Sequence, residues 1–263
     1  MTPTLAFDIE TVPDVAGLRR VYALPAELSD ADVLDWALQQ RRAATGTDFL
    51  PPHLQRVVAI ACVLREGALL RIASVGAAGD PEAELIRRFF DLVDKHTPQL
   101  VSWNGGGFDL PVLGHRALIH GVTAAKFWDW GDDDREFKFN SYLGRYHTRH
   151  LDLMDVLSMY QPRNYAGLEA MARLAGFPGK LGLAGSEVHA AFLAGRIEDV
   201  RRYCEADVLN TYLLYLRFQL LRGTLSPAEY ASEVSLVREK IGASKEPHWR
   251  EFLAAWDANP PAA

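Results

Sequence analysis

The chain has 263 residues, 49% of them hydrophobic and 24% charged, and a formal net charge of −6, an ordinary globular composition that argues against a general binder of phosphate backbones. At this length roughly 70–75% of the unfolded surface can be buried, so the core needs no covalent staples. Cys62 and Cys204 stand far apart in sequence, and neither belongs to a Cys/His cluster, which excludes a disulfide framework and a zinc finger.

Thr4 to Glu10 alternates, with Leu5, Phe7 and Ile9 on one face and Ala6, Asp8 and Glu10 on the other, the period of a strand. Pro13 to Pro52 is a polar, helix-rich excursion with its main helix over Ser29 to Arg42. It reads as an insertion rather than a domain. Arg56 to Leu64 and Ala68 to Val75 are apolar, partly β-branched runs joined as a hairpin by Arg65-Glu66-Gly67. Asp80 as N-cap, with Pro81 at the first helical position, opens a helix to about Lys95. Gln99 to Trp103 predicts a short buried strand, Asp109 or Leu110 to His120 a helix, and Leu151 to Tyr160 a strand passing into a helix. Further helices are expected over Gly167 to Ala175, Ile197 to Leu221, Ser226 to Ile241 and Pro247 to Trp256. The tail from Asn259 to Ala263 predicts disorder.

Three short segments carry chemistry. Asp8 and Glu10, two apart on a strand, leave one face within ~7 Å of each other. Paired acids in an apolar strand are costly unless a cation neutralises them or the strand end has reached solvent. Asn104-Gly-Gly-Gly-Phe108-Asp109 joins a strand to a helix. It lacks GxGxxG spacing and any Gly-Lys-Ser/Thr, so a P-loop and a dinucleotide fold are excluded. What remains is a turn presenting Asn104 and Asp109, with a plain N-cap as the bland role for Asp109. Tyr203 and Asp207 share one helical face at i, i+4, where a core tyrosine and a solvated acid would also fit.

Together, Phe7-Asp8-Ile9-Glu10-Thr11, Asn104-x-x-x-Phe108-Asp109 and Tyr203-x-x-x-Asp207 follow one another in order. They resemble the three exonuclease motifs of the DEDD superfamily of 3′–5′ exonucleases. FDIET and NxxxFDLP are most similar to the proofreading domain of family B DNA polymerases, and the chain to the stand-alone bacterial exonucleases that resemble it. The resemblance covers Thr4 to Glu10 and about Arg56 to Arg222. The histidine subclass has its base five residues before the last Asp, where this chain has Arg202. The tyrosine subclass has Tyr four before, where Tyr203 stands.

The resemblance implies an α/β, ribonuclease-H-like fold: a mixed five-stranded sheet of order 3-2-1-4-5 flanked by helices. The hairpin requires strand 2 to run antiparallel. One exonuclease domain is expected over residues 1–263, with an insertion at about 13–52 and a helical extension at about 226–263. The resemblance also implies two divalent cations, Mg²⁺ or Mn²⁺. Asp8 would bridge both, Glu10 and Asp207 would complete the site that activates water, and Asp109 would hold the second, partly through water. Tyr203 would orient that water, since a free phenol titrates near ~10. Asn104 and Phe108 are candidates for holding the terminal nucleotide, Phe108 with core packing as its alternative.

The expected activity is 3′–5′ removal of nucleoside monophosphates from DNA, single-stranded for preference. An exoribonuclease, or a non-catalytic nucleic-acid-binding scaffold on the same fold, are the alternatives. The charge of −6 does not oppose a nuclease, because a carboxylate metal site collects cations. Phe137 to His150 interleaves aromatic and basic residues, making Arg145, Tyr146 and Arg149 candidate substrate contacts, with an amphipathic loop as the alternative. Asp152 is expected to make a structural hydrogen bond, and Asp132-Asp133-Asp134 and Lys180 to be solvated. Fifty-six residues follow Asp207 and seven precede Asp8, which leaves no room for a polymerase palm. A free-standing nuclease is expected, acting alone or with a separate polymerase or repair partner. Met1 to Glu10 lacks a signal peptide's basic start, and no apolar run approaches the ~20 residues of a membrane span. A cytoplasmic location without membrane contact is therefore expected.

Overall fold

The computed structural model describes residues 2–259; of the tail predicted to be disordered, Asn259 donates to Arg173 O at 3.0 Å and to Phe177 O at 2.8 Å, and the rest lies outside the described residues. Five strands form one sheet: β1 (Thr4–Pro13), β2 (Gln55–Glu66), β3 (Leu69–Ser74), β4 (Gln99–Ser102) and β5 (His150–Asp152). Their order is β3-β2-β1-β4-β5, as expected. β2 runs antiparallel to β1 and β3, while β1, β4 and β5 are parallel. Helices α1 (Val15–Tyr22) and α2 (Asp30–Thr45) lie between β1 and β2, α3 (Glu82–His96) follows β3, and α4 (Asp109–His120) follows β4. After β5 come α5 (Leu153–Leu157), α6 (Leu168–Leu174), α7 (Val188–Leu193), α8 (Ile197–Leu221), α9 (Pro227–Gly242) and α10 (Pro247–Ala258).

The alternation of β1 divides the core in two. Leu5, Phe7 and Ile9 pack with Ile86 and Phe89 of α3 and with Val112 and Leu113 of α4. Ala6 and Val12 face the other way, into a cluster with Cys204, Val208 and Leu209 of α8. Because side chains alternate at period two, Asp8 and Glu10 leave the sheet on the α8 side. On its outer side α8 is covered by Val237 and Ile241 of α9 and by Trp249, Phe252 and Trp256 of α10.

One local feature differs from expectation. The helix after the hairpin begins at Glu82, not Pro81, and its N-cap makes no side-chain hydrogen bond. Asp80 is occupied closing the preceding turn, where it accepts from Ala77 N at 2.8 Å. The excursion between β1 and β2 has a small core of its own, formed by Leu18, Val33, Ala37, Leu50 and Leu54. Its second helix starts in a Ser29/Asp32 capping box.

A β-bulge interrupts the β1–β2 register between Glu10 and Thr11. Bulges re-aim side chains beside functional sites, and this one is fixed by a buried ionic cluster. Glu82 accepts from Val57 N at 2.7 Å and from Arg116 Nε at 2.8 Å. Arg116 also pairs with Asp14 at 2.5 Å, and His120 Nε2 lies 2.7 Å from Glu82. Residues of β2, α3, α4 and the start of the insertion therefore meet at Val57, the register partner of Thr11.

Candidate active site

Three elements bring the motif acids together. β1 presents Asp8 and Glu10. Asp109 is the first residue of α4, and its Oδ1 accepts from Ile9 N at 3.2 Å, which ties that helix to β1 between the two acids. Asp207 and Tyr203 lie one turn apart on α8, and both are buried. The thiol of Cys204 donates to the Asp8 carbonyl at 3.3 Å and lies 3.5 Å from Asp8 Oδ2.

Burial raises the pKa of all four carboxyls. For Asp8 the charges of Asp109 and Asp207 come next, and for Glu10 those of Asp8 and Asp207. Burial pushes Asp109 up to about 7, against the lowering effect of the Ile9 hydrogen bond. Asp207 Oδ1 is buried with no hydrogen-bond partner among the described residues. An orphaned buried carboxylate oxygen is costly. Four oxygen-donor side chains, Asp109 and Asp207 buried and Asp8 and Glu10 partly so, one with a free lone pair, fit hard divalent cations such as Mg²⁺ or Mn²⁺. Asp8, Glu10 and Cys204 present ligand atoms within 4.8 Å of one another.

Lys180, expected to be solvated, belongs to this cluster instead. Its Nζ lies 3.3 Å from Asp207 Oδ2 and donates to the Tyr203 hydroxyl at 2.5 Å. Burial alone would lower the ammonium's pKa, but the charges of Asp207, Glu10 and Asp8 outweigh it and raise the pKa overall. Burial, then the charges of Asp207, Glu10 and Asp8, push the Tyr203 phenol up, so it stays protonated. The Lys180 loop is held by Asn210, whose amide donates to Gly179 O at 2.8 Å and accepts from Gly179 N at 3.2 Å. Asn210 is wholly buried in an apolar helix, three residues after Asp207. That placement is the one signal in the sequence that could have pointed to the clamp.

The glycines of the Asn104 turn answer to close packing. A Cβ on Gly105 would sit 2.4 Å from Ser102 Oγ, and one on Gly107 would sit 2.5 Å from Asn104 Oδ1. Asn104 itself has φ +67°. Asp152 accepts from Asn104 N at 3.0 Å and Gly106 N at 2.9 Å, and it caps α5. It is the structural acid that the sequence predicts. Phe108 is partly buried against the α3/α4 core, with its ring centroid 5.4 Å from that of Phe49 in the insertion.

The Phe137 to His150 segment separates into brace and surface. Phe137 and Tyr142 are buried. Arg149 is turned inward: its guanidinium lies 4.0 Å over the Phe137 ring, and Nε donates to Asn140 O at 2.7 Å. It braces the loop and is not an open contact. Arg145 holds Asp155 at 2.7 and 2.6 Å with its side chain half exposed. Tyr146 is exposed, edge-on to Tyr160 at 4.8 Å. In the acidic run, Asp133 is solvent-exposed while backbone N–H groups of Asp132, Asp133 and Asp134 donate to Asp129.

A mixed sheet of order 3-2-1-4-5 flanked by helices is an α/β fold consistent with the ribonuclease-H-like exonucleases. The chain belongs to a family described as predicted 3′–5′ exonucleases related to the exonuclease domain of PolB, whose sequence model matches residues 47–256. Asp109, Tyr203 and Asp207 lie within that stretch, and Asp8 and Glu10 precede it. The chain is also similar to a catalytic subunit of DNA polymerase epsilon from Arabidopsis thaliana, at 25% identity over 147 residues. That similarity covers 52% of this chain and 6% of the plant protein's length. Among the described residues no helix is long and apolar enough to cross a membrane.

Proposed function

We propose that the chain is one exonuclease domain of the tyrosine subclass, removing nucleoside monophosphates from the 3′ end of single-stranded DNA with two divalent cations. The observation that carries this reading is the meeting of Asp8, Glu10, Asp109 and Asp207 in one site, Asp109 and Asp207 buried, with Asp207 Oδ1 unpartnered. Asp8 would hold both cations, Glu10 and Asp207 would complete the first position, and Asp109 the second. Bound there, the cations supply the Lewis acidity and charge neutralisation that phosphodiester hydrolysis needs.

The chain's own groups supply orientation. Tyr203, kept protonated by burial and by the neighbouring acids, positions the attacking water and does not take its proton. Lys180 sits between Tyr203 and Asp207, where its ammonium stabilises negative charge developing on the phosphoryl oxygens. Asn104, in the turn before α4, and Phe108, at its N-cap, would hold the terminal nucleotide, and exposed Tyr146 would meet the strand.

End-labelled DNA and RNA strands, single and double, test this directly. Strands should shorten from the 3′ end to mononucleotides, with DNA ahead of RNA; a 5′-first ladder or cuts in a circular strand would overturn the reading. Exhaustive chelation should abolish hydrolysis, and Mg²⁺ or Mn²⁺ should restore it. Activity that survives chelation unchanged would remove the cations from the mechanism.

A further inference from the structure

One sulfur stands among the oxygen donors of the candidate site, and two hard cations give it no task. Mg²⁺ is held by oxygen ligands, whereas thiolates select zinc-like ions. We propose that Cys204, with Asp8 and Glu10, forms a site for a thiophilic divalent cation of the zinc or cadmium class, and that this ion switches hydrolysis off. The binding stands on geometry, while the switching rests on the exonuclease reading.

The distances suit a small four-coordinate ion. Cys204 Sγ lies 3.5 Å from Asp8 Oδ2. With a Zn–S bond of ~2.3 Å and a Zn–O bond of ~2.1 Å, the S···O edge of a tetrahedral site is ~3.5 Å. Sγ and one oxygen each of Asp8 and Glu10 all lie within 4.8 Å of one another. Glu10 is partly exposed, so turning its side chain closes the longer edges. A separate observation points to a cation here. Asp207 is 4% exposed, and its Oδ1 has no hydrogen-bond partner among the described residues.

The fold holds the sulfur in place. Cys204 is wholly buried on α8, and its thiol donates to the Asp8 carbonyl at 3.3 Å, which fixes it between α8 and β1. A thiol that served only this bond could be replaced by serine. A ligand thiol releases its proton to solvent as the sulfur–metal bond forms, and serine has no such sulfur to offer. The other cysteine, Cys62, packs in the α3/α4 cluster on the opposite face of the sheet.

An ion held by these three groups takes both β1 acids from the hard cations. It also sits toward the buried sulfur, off the pair of positions ~3.5–4 Å apart that two-metal hydrolysis needs. Hydrolysis stops while the ion stays.

Cobalt(II) replaces zinc in such sites and shows thiolate ligation as a charge-transfer band in the near ultraviolet. The metal-free protein titrated with Co²⁺ should give this band, Cys62→Ser should keep it, and Cys204→Ser should lose it. Calorimetry should show Zn²⁺ and Cd²⁺ bound roughly 10-fold or more weakly by Cys204→Ser, with Mg²⁺ affinity unchanged. No band in the unsubstituted protein, a band that survives Cys204→Ser, or equal zinc affinity in the two would overturn the site. Should Cys204→Ser fail to fold, the spectra of the unsubstituted protein and of Cys62→Ser decide it. On an end-labelled single strand in Mg²⁺, added Zn²⁺ should inhibit the unsubstituted protein at a concentration roughly 10-fold or more below that needed for Cys204→Ser. Equal inhibition would overturn the switching. An unsubstituted protein inactive in Mg²⁺ would defeat the exonuclease reading instead, and the spectra and calorimetry would still decide the site.

Discussion

Asp207→Ala should abolish measurable turnover and weaken metal binding, whereas Tyr203→Phe should keep metal affinity and lose about 10²–10⁴-fold in rate. The contrast follows from where the two side chains stand on α8. Asp207 is buried, has one oxygen without a partner, and is paired with Lys180 through the other. Its loss removes an anionic ligand and leaves the Lys180 ammonium facing Asp8 and Glu10. Tyr203→Phe removes one hydroxyl and leaves every carboxylate in place. Calorimetric metal titration beside single-turnover rates separates the two effects. Wild-type cleavage by Tyr203→Phe would make Tyr203 a core residue and remove the tyrosine-subclass assignment. Equal loss of metal by both variants would mean that α8 itself had moved.

Arg116→Met should cost about 3–5 kcal/mol of stability, the usual penalty for stripping one partner from a buried ion pair. Arg116 is 3% exposed and Glu82 6% exposed, so solvent cannot replace the lost guanidinium. Urea unfolding should show a lower midpoint with an unchanged slope. Adding Glu82→Gln to Arg116→Met should recover much of the loss. The amide carries no buried charge, yet its oxygen can still accept from Val57 N. If the single variant unfolds like the unsubstituted protein, the cluster does not hold the bulge at Glu10.

Much of this arrangement was legible in the sequence because it depends on short periods. Alternation from Thr4 to Glu10 placed Asp8 and Glu10 on one face, and i, i+4 spacing placed Tyr203 over Asp207. The last two helices lie within two residues of their expected bounds at each end. What escaped depends on contacts made across the chain. Lys180 reaches Tyr203 from 23 residues away, in a loop that the Asn210 clamp holds at Gly179. Arg149 looked like an open cation because its sequence neighbours alternate. In the fold, the aromatic rings beside it enclose it.

The stem of the insertion bears on how this chain tolerates changes in length. Asp14 N donates to Leu54 O at 2.9 Å, so the first and last residues of the excursion are already closed onto each other. Loop-closure entropy grows only as the logarithm of length, by about 0.6 kcal/mol per doubling. The residues between those two anchors form a graft site: a shorter or longer link spliced there changes the closure cost little. The acids of β1 stay in register because the bulge is locked from below the graft, by Glu82 and Arg116, and not from within it.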